Sequence, residues 1–233
     1  YDMDKYPELW KMYVDFVHGQ IKELMRDYGP IDILWLDAGW VDTPREDIDM
    51  DGLVGMARDI NPELIVVDRE CGGKYEDYTT PERKVPEKPM DKPWESCIPM
   101  GDAFAYSPRD VMKTTRELIH LLIDIVAKGG NLLLNVAPKA NGKYPSDAIE
   151  RLLEIGDWMD VNSESIYGTG VCAPYRMENL AFTRKENSVY VFYQLENDED
   201  ILPEIIEIGN LDIGDKKNIK LLGDSDQIEL SRS

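Results

Sequence analysis

Apolar residues at Trp10, Tyr13, Val14, Val17, Ile21 and Leu24 recur at three- and four-residue spacing, which predicts an amphipathic helix. Pro7 suits its first turn, and Tyr28-Gly29-Pro30 supplies a stop. The period then changes. Ile31-Asp32-Ile33-Leu34-Trp35-Leu36 is a short apolar run closed by Asp37, which reads as a buried strand followed by a loop over 38–47. A shorter helix is predicted from Met50 to Ile60, ended by Asn61-Pro62, and a second buried strand from Leu64 to Arg69. A long polar stretch follows over 70–93, with Gly72-Gly73 and Thr79-Thr80-Pro81 inside it. Loops longer than about 12–15 residues in a compact domain are usually functional or disordered.

Trp94-Glu95-Ser96-Cys97-Ile98-Pro99 reads as a third strand. Ser107-Pro108 has the character of a cap and first turn, with Val111, Thr115, Leu118, Leu122 and Ile125 on one face of the helix it would open. Gly129-Gly130 ends that helix, Asn131 to Val136 forms a fourth strand, and Ser146 opens a last helix through Leu152, Ile155 and Met159. The predicted order is one helix and then four strand–helix units with continuous apolar strands. Such alternation implies a parallel sheet with right-handed crossovers. Four units are half of a (β/α)8 barrel, whose function sits on the loops after the strands; a small doubly wound sheet is the other reading. Past Gly170 the texture becomes antiparallel β. Leu180 to Arg184 and Asn187 to Tyr193 read as strands across a polar turn, with short segments at Ile205 to Ile208 and Ile219 to Leu222. This tail is shorter than a sandwich of about 100 residues. The division expected is therefore 1–170 for half a barrel and 171–233 for part of an antiparallel β domain.

Charge narrows the partners. The 26 basic and 46 acidic residues leave a net charge of −20 in 233 residues, which argues against nucleic acid or an anionic membrane surface. No apolar run approaches the roughly 20 residues of a transmembrane helix. Cys71, Cys97 and Cys172 show no metal-type spacing, and with only His18 and His120 a zinc site is not expected. Asp42, Asp47, Asp49 and Asp51 lack the glycine and terminal glutamate of a calcium loop. The chain opens on Tyr1 and runs into a helix within a few residues, so it is read as a portion of a longer protein, with a cleaved precursor as the other reading.

Asp37 closes a hydrophobic strand between Trp35 and Trp40. A carboxylate at the C-terminal end of a barrel strand points into the active-site mouth, and flanking aromatics suit the apolar faces of a sugar ring. A plain strand-end Asp that caps the next loop fits the same residues. Glu95 stands beside Trp94 and is bracketed by Pro93 and Pro99; an indole neighbour raises a glutamate's pKa and suits a general acid, while a solvated loop glutamate is the alternative. Arg69 ends its strand and could orient a hydroxyl, or pair internally with Asp68 or Glu70. Glu76, Asp77, Glu82 and Glu87 read as a solvated face.

Three segments together carry a resemblance. Tyr28-Gly29-Pro30-Ile31-Asp32-Ile33-Leu34-Trp35-Leu36-Asp37 with Gly39-Trp40, Trp94-Glu95-Ser96-Cys97, and Gly129-Gly130-Asn131-Leu132-Leu133-Leu134-Asn135-Val136-Ala137-Pro138 with the helix ending Asn162-Ser163-Glu164-Ser165-Ile166-Tyr167-Gly168 resemble, in order, the α-L-fucosidases of glycoside hydrolase family 29. The resemblance runs from about residue 5 to 170. It implies the C-terminal half of a catalytic barrel plus the start of a β-sandwich, acting on terminal α-L-fucose of glycans with retention and without metal or organic cofactor. It places Asp37 on the nucleophile, Glu95 on the acid/base, and Trp35 and Arg69 on fucose contacts, with Phe104 on an aromatic wall. Trp40 and Trp94 complete the expected sugar contacts. The family's paired histidines have no counterpart here, so the missing first half of the barrel is expected as a partner. Family members are often periplasmic, secreted or lysosomal. A noncatalytic carbohydrate-binding relative, or a glycosidase for another sugar such as galactose, remains the competing expectation.

Overall fold

The structure, a computed structural model, describes residues 4–37, 41, 45–69, 73–197, 201–209, 211 and 218–224. It divides into two compact units, residues 1–80 and 81–233.

The first unit holds α1 (Pro7–Asp27), β1 (Ile33–Trp35), α2 (Met50–Ile60) and β2 (Ile65–Val67). β1 and β2 pair in parallel with Trp35 opposite Val67. Met25 and Ile21 of α1 and Val54 and Ala57 of α2 pack on Leu34, Leu64 and Val66. Alternation along a strand sends these residues to one face and Ile33, Trp35, Ile65 and Val67 to the other. Asp49 caps α2 by accepting from the Gly52 amide at 3.0 Å, and the Asn61 side chain donates to the Ile31 carbonyl at 2.8 Å. The helix therefore stops where its asparagine is needed by the strand layer. Trp10 Nε1 donates to the Asp47 carbonyl at 2.7 Å, and His18 Nε2 meets the Ile48 carbonyl at 2.9 Å, so α1 is tied to the segment that leads into α2.

The second unit holds β3 (Glu95–Pro99), α3 (Thr115–Ala127), β4 (Asn131–Asn135) and α4 (Ser146–Asn162), then β5 (Gly170–Met177), β6 (Leu180–Lys185) and β7 (Ser188–Tyr193). β3 and β4 are parallel, with Glu95 opposite Asn131 and Pro99 opposite Asn135. β5, β6 and β7 form an antiparallel meander. α3 is the hub. Ile125 packs with Trp94 and Ile98, Leu118 with Met100 and Ala148, and Ile123 and Val126 with Ile166 and Ala181. The apolar residues of α3 cover more than one face of the helix, so three neighbouring layers are needed to bury them. Burial of each such side chain contributes about 1.5–3 kcal/mol. Lys128 and Arg176 both pair with Asp124, at 2.8 and 3.1 Å, and join the end of α3 to β5.

Four expectations change. β2 is followed by no helix, since the chain over 73–94 is irregular, so the strand–helix alternation breaks there. The helix expected from Ser107 begins at Thr115, because Ser107 closes a turn on Arg109 and Asp110 while Thr114 and Glu117 form a reciprocal capping box. Ile205 to Ile208 forms no strand, Ile219 to Leu222 contributes a single bridge at Lys220, and β5 is an additional strand. The strands are also not buried on both faces: Ile33, Ile65 and Leu133 are exposed.

Three stability outcomes follow from the second unit. A Cβ on Gly130 would stand 2.4–2.5 Å from three atoms of the Trp94 ring, whereas one on Gly156 in α4 meets nothing within 4 Å. Gly130→Ala should therefore destabilise by about 1–3 kcal/mol in urea unfolding. Gly156→Ala should be neutral or stabilising by up to about 1 kcal/mol. His120 has its pKa lowered from 6.5, first by burial and then by Arg116 and Arg176. The unfolded chain then binds the proton more readily, so the stability this site contributes is lost as pH falls through about 6.5. Melting temperatures measured at about pH 7.5 and pH 5.5 should differ less in His120→Gln than in the native protein.

Candidate active site

In both parallel pairs the helices cover one strand face, and the candidate residues occupy the other. Continuing the β1–β2 register two residues past Trp35 and Val67 brings Asp37 opposite Arg69. There Arg69 Nη1 lies 3.6 Å from Asp37 Oδ1, and the guanidinium carbon stands 4.5 Å from the centroid of the Trp35 ring. Arg69 is 14% exposed and Asp37 is 58% exposed at the side chain. An ion pair with one arm in solvent is worth about 0–1 kcal/mol. A cation held against an indole is worth about 0.5–2 kcal/mol, the upper figure when desolvated. The stack on Trp35 thus sets the position of Arg69 more firmly than Asp37 does, and the carboxylate stays accessible. Arg69 adopts φ 29°, the left-handed region, at a cost of about 1–3 kcal/mol that its surroundings must hold.

Those surroundings are specific. Asp68 is fully buried, and its Oδ2 accepts from the Tyr75 amide at 3.1 Å. Asp77 Oδ2 accepts from the Val66 amide at 2.7 Å and from Arg58 at 2.9 Å, while the Asp77 amide donates to the Val66 carbonyl at 2.9 Å. Asp51 accepts from Lys74 at 2.8 Å and from the Tyr75 hydroxyl at 2.7 Å, and these bonds, Lys74 first, hold its carboxyl below the usual range. Arg69 thus pairs with Asp37 and not with Asp68, while Glu70, the other expected partner, lies outside the described residues.

In the second unit Ile98, Leu132 and Leu134 face α3 or α4, and Glu95, Cys97, Asn131, Leu133 and Asn135 face away. Glu95 opens β3, at its N-terminal end. Glu82 forms a parallel bridge with Cys97 and so joins the same face, two residues nearer the C-terminal end of the sheet. It is exposed, as a solvated glutamate should be, but its register with Cys97 is a long-range pairing invisible in composition. Arg83, next along, stands 4.5 Å over the Phe104 ring and donates to the Asp102 carbonyl at 2.8 Å. Phe104 lies on the loop after β3. Trp94 does not share this face: it is 1% exposed, packed with Val85, Leu121, Ile125 and Leu132, so its ring belongs to the core. Trp40 and Glu70 lie outside the described residues. A cavity of about 150 Å³ opens beyond the C-terminal ends of β3 and β4, lined by Met100, Gly101, Tyr106, Asp110, Lys139 and Asp147 among others. Among the described residues no group of three His, Cys, Asp or Glu could hold a metal ion, and no helix is long and apolar enough to cross a membrane. Asp47 and Asp49 serve the start of α2 and Asp51 pairs with Lys74.

Carboxylate, guanidinium and indole thus stand together at the end of a parallel strand pair. The alpha-L-fucosidase family model matches residues 1–164. An alpha-L-fucosidase of Dictyostelium discoideum is 32% identical over 229 residues, covering 91% of this chain and 48% of that protein. Human tissue alpha-L-fucosidase is 28% identical over 191 residues, with 75% and 40% covered. Among solved structures, alpha-L-fucosidase isoenzyme 1 from Paenibacillus thiaminolyticus superposes with a TM-score of 0.70 at 33% identity, covering 77% of this chain and 46% of that one. The Thermotoga maritima alpha-fucosidase in complex with fucose gives 0.64 at 35% identity, with 77% and 42% covered. The chain belongs to the alpha-L-fucosidase family. It spans less than half the length of the curated relatives it matches.

Proposed function

We propose that the protein is a retaining glycosidase that releases terminal α-linked L-fucose from glycans. The observation that carries this reading is the Asp37–Arg69–Trp35 group on the helix-free face, inside the segment that the family model matches. Asp37 attacks the anomeric carbon and forms a glycosyl ester, Arg69 orients a sugar hydroxyl through its planar fork, and Trp35 offers the sugar an apolar surface. A second carboxylic acid protonates the departing oxygen and then, as carboxylate, draws a proton from the water that opens the ester. Glu95 is the proposed acid, and Glu82 stands on the same strand face as its rival. Retention requires the acid and Asp37 carboxyls about 5–5.5 Å apart. Phe104 is the proposed wall on the leaving-group side. Under this reading residues 1–170 are the second half of a (β/α)8 barrel and 171–233 part of a β-sandwich. The parallel pairs clad by helices on one face and the antiparallel meander support that division. No metal or organic cofactor enters any step.

Asp37→Gly should abolish release of nitrophenol from nitrophenyl α-L-fucoside, and added azide should partly restore it by occupying the vacated space. Undiminished turnover by Asp37→Gly would sink the reading, and preference for an aryl galactoside would reassign the sugar. The acid is decided by comparing substrates. Its replacement by Ala should cost about 10²–10⁴-fold on natural glycans and far less on the nitrophenyl fucoside, whose leaving group needs little protonation. Should Glu82→Ala and not Glu95→Ala show that contrast, the acid is Glu82.

A further inference from the structure

The buried carboxylate of Asp68 belongs to none of the steps above, yet it sits one residue before Arg69. Asp68 is 0% exposed, on the strand face opposite to Arg69, and its Oδ2 accepts the Tyr75 amide at 3.1 Å across a seven-residue span. Its Oδ1 is buried without a hydrogen-bond partner. A fully buried carboxylate with half its acceptor capacity unused is costly, and a strand of apolar neighbours gives it no packing advantage over Val or Leu. The residue that follows is held in the left-handed region, which a bulky side chain leaves unless the backbone on both sides is fixed.

We infer that Asp68 is a positioning residue: tied to the Tyr75 amide, it fixes the end of β2 so that the Arg69 guanidinium lies against Trp35 and beside Asp37. The bond works from the helix-covered face, so no substrate contact is involved. The neighbouring Asp77–Val66 and Arg58–Asp77 bonds anchor the returning chain to β2, which gives Tyr75 a fixed position from which to donate. A shift of Arg69 by about 1 Å at a substrate contact can cost about 10²-fold in rate.

The inference is tested in the full-length protein by two readouts. Stacking on Trp35 places the Arg69 side-chain protons in the ring current of the indole, so their NMR resonances should lie upfield. Asp68→Ala should lose that shift, whereas Asp68→Asn, which keeps an acceptor for the Tyr75 amide, should retain it. An upfield shift unchanged in Asp68→Ala, or lost equally in Asp68→Asn, would overturn the inference. The kinetic readout rests on the fucosidase reading. Asp68→Ala should lower kcat/KM for nitrophenyl fucoside about 10–100-fold, and it should cost nothing further in an Arg69→Ala background. Additive losses would mean that Asp68 acts through general stability and not through Arg69. If Asp68→Ala does not fold, an ester in place of the Tyr75 amide removes the same bond while both side chains stay, with the same two outcomes. Inactivity of the native protein towards fucosides would count against the functional reading alone, because the ring-current comparison does not depend on turnover.

Discussion

Helices cover each parallel strand pair on one face only, and the rest of the molecule follows from that asymmetry. A strand alternates its side chains, so once Leu34, Val66, Ile98 and Leu132 are committed to the helices, their neighbours are committed to the opposite face. In the first unit that second face ends in Trp35, Asp37 and Arg69; in the second it carries Glu82, Glu95 and Asn135. A one-residue slip in register would drive these charged groups into the apolar layer, where an unpaired carboxylate costs several kcal/mol. The hydrophobic core thus chooses the side on which the chemistry is placed. Position along the strand then separates the candidates: Asp37 and Arg69 follow C-terminal ends, while Glu95 is the first residue of its strand.

What was legible in the residues was what local signals decide. α2 runs from Met50 to Ile60 as its pattern requires, because Asn61-Pro62 cannot continue a helix and the asparagine side chain has a partner waiting on Ile31. Asp37 and Arg69 stood out because each closes an apolar run, and pairing those runs in parallel brings them opposite one another. The helix after β3 was misplaced because Ser107-Pro108 satisfies the same local rule as a true cap. The Thr114–Glu117 box that does start the helix is an equally short motif, and the choice between them was made by where Leu118 meets Met100.

Long-range pairing explains the remaining gaps. Nothing near Glu82 marks it, since its significance lies in a bridge to Cys97 across the 83–94 segment. Trp94 was misleading for the opposite reason. An indole beside a glutamate is the composition of a sugar site, but the close approach of Gly130 opens a slot that takes the ring into the core. Burial of a ring that size outweighs the unpartnered indole N–H, since the area removed from water is worth more than the single hydrogen bond forgone.

The two arginines that stack on aromatic rings make a final comparison. Arg69 over Trp35 and Arg83 over Phe104 both follow strand-like segments, and both have positive φ. They differ in what holds them. Arg83 donates to the Asp102 carbonyl and is exposed, so solvent can replace most of what it gains. Arg69 is largely buried and preceded by a carboxylate with no exposure, and residues 74–77 are tied down through Asp68, Asp77 and Asp51. Strain persists only where the surroundings over-determine it, and they do so at both arginines: the Arg83 amide donates to the Cys97 carbonyl at 2.9 Å, while the Arg69 side chain is packed on Trp35. One such left-handed residue therefore stands directly beside Asp37. Under the proposed function, that is where a cation a few tenths of an ångström out of place would do most harm, since Asp37 would have to leave its ion pair to attack.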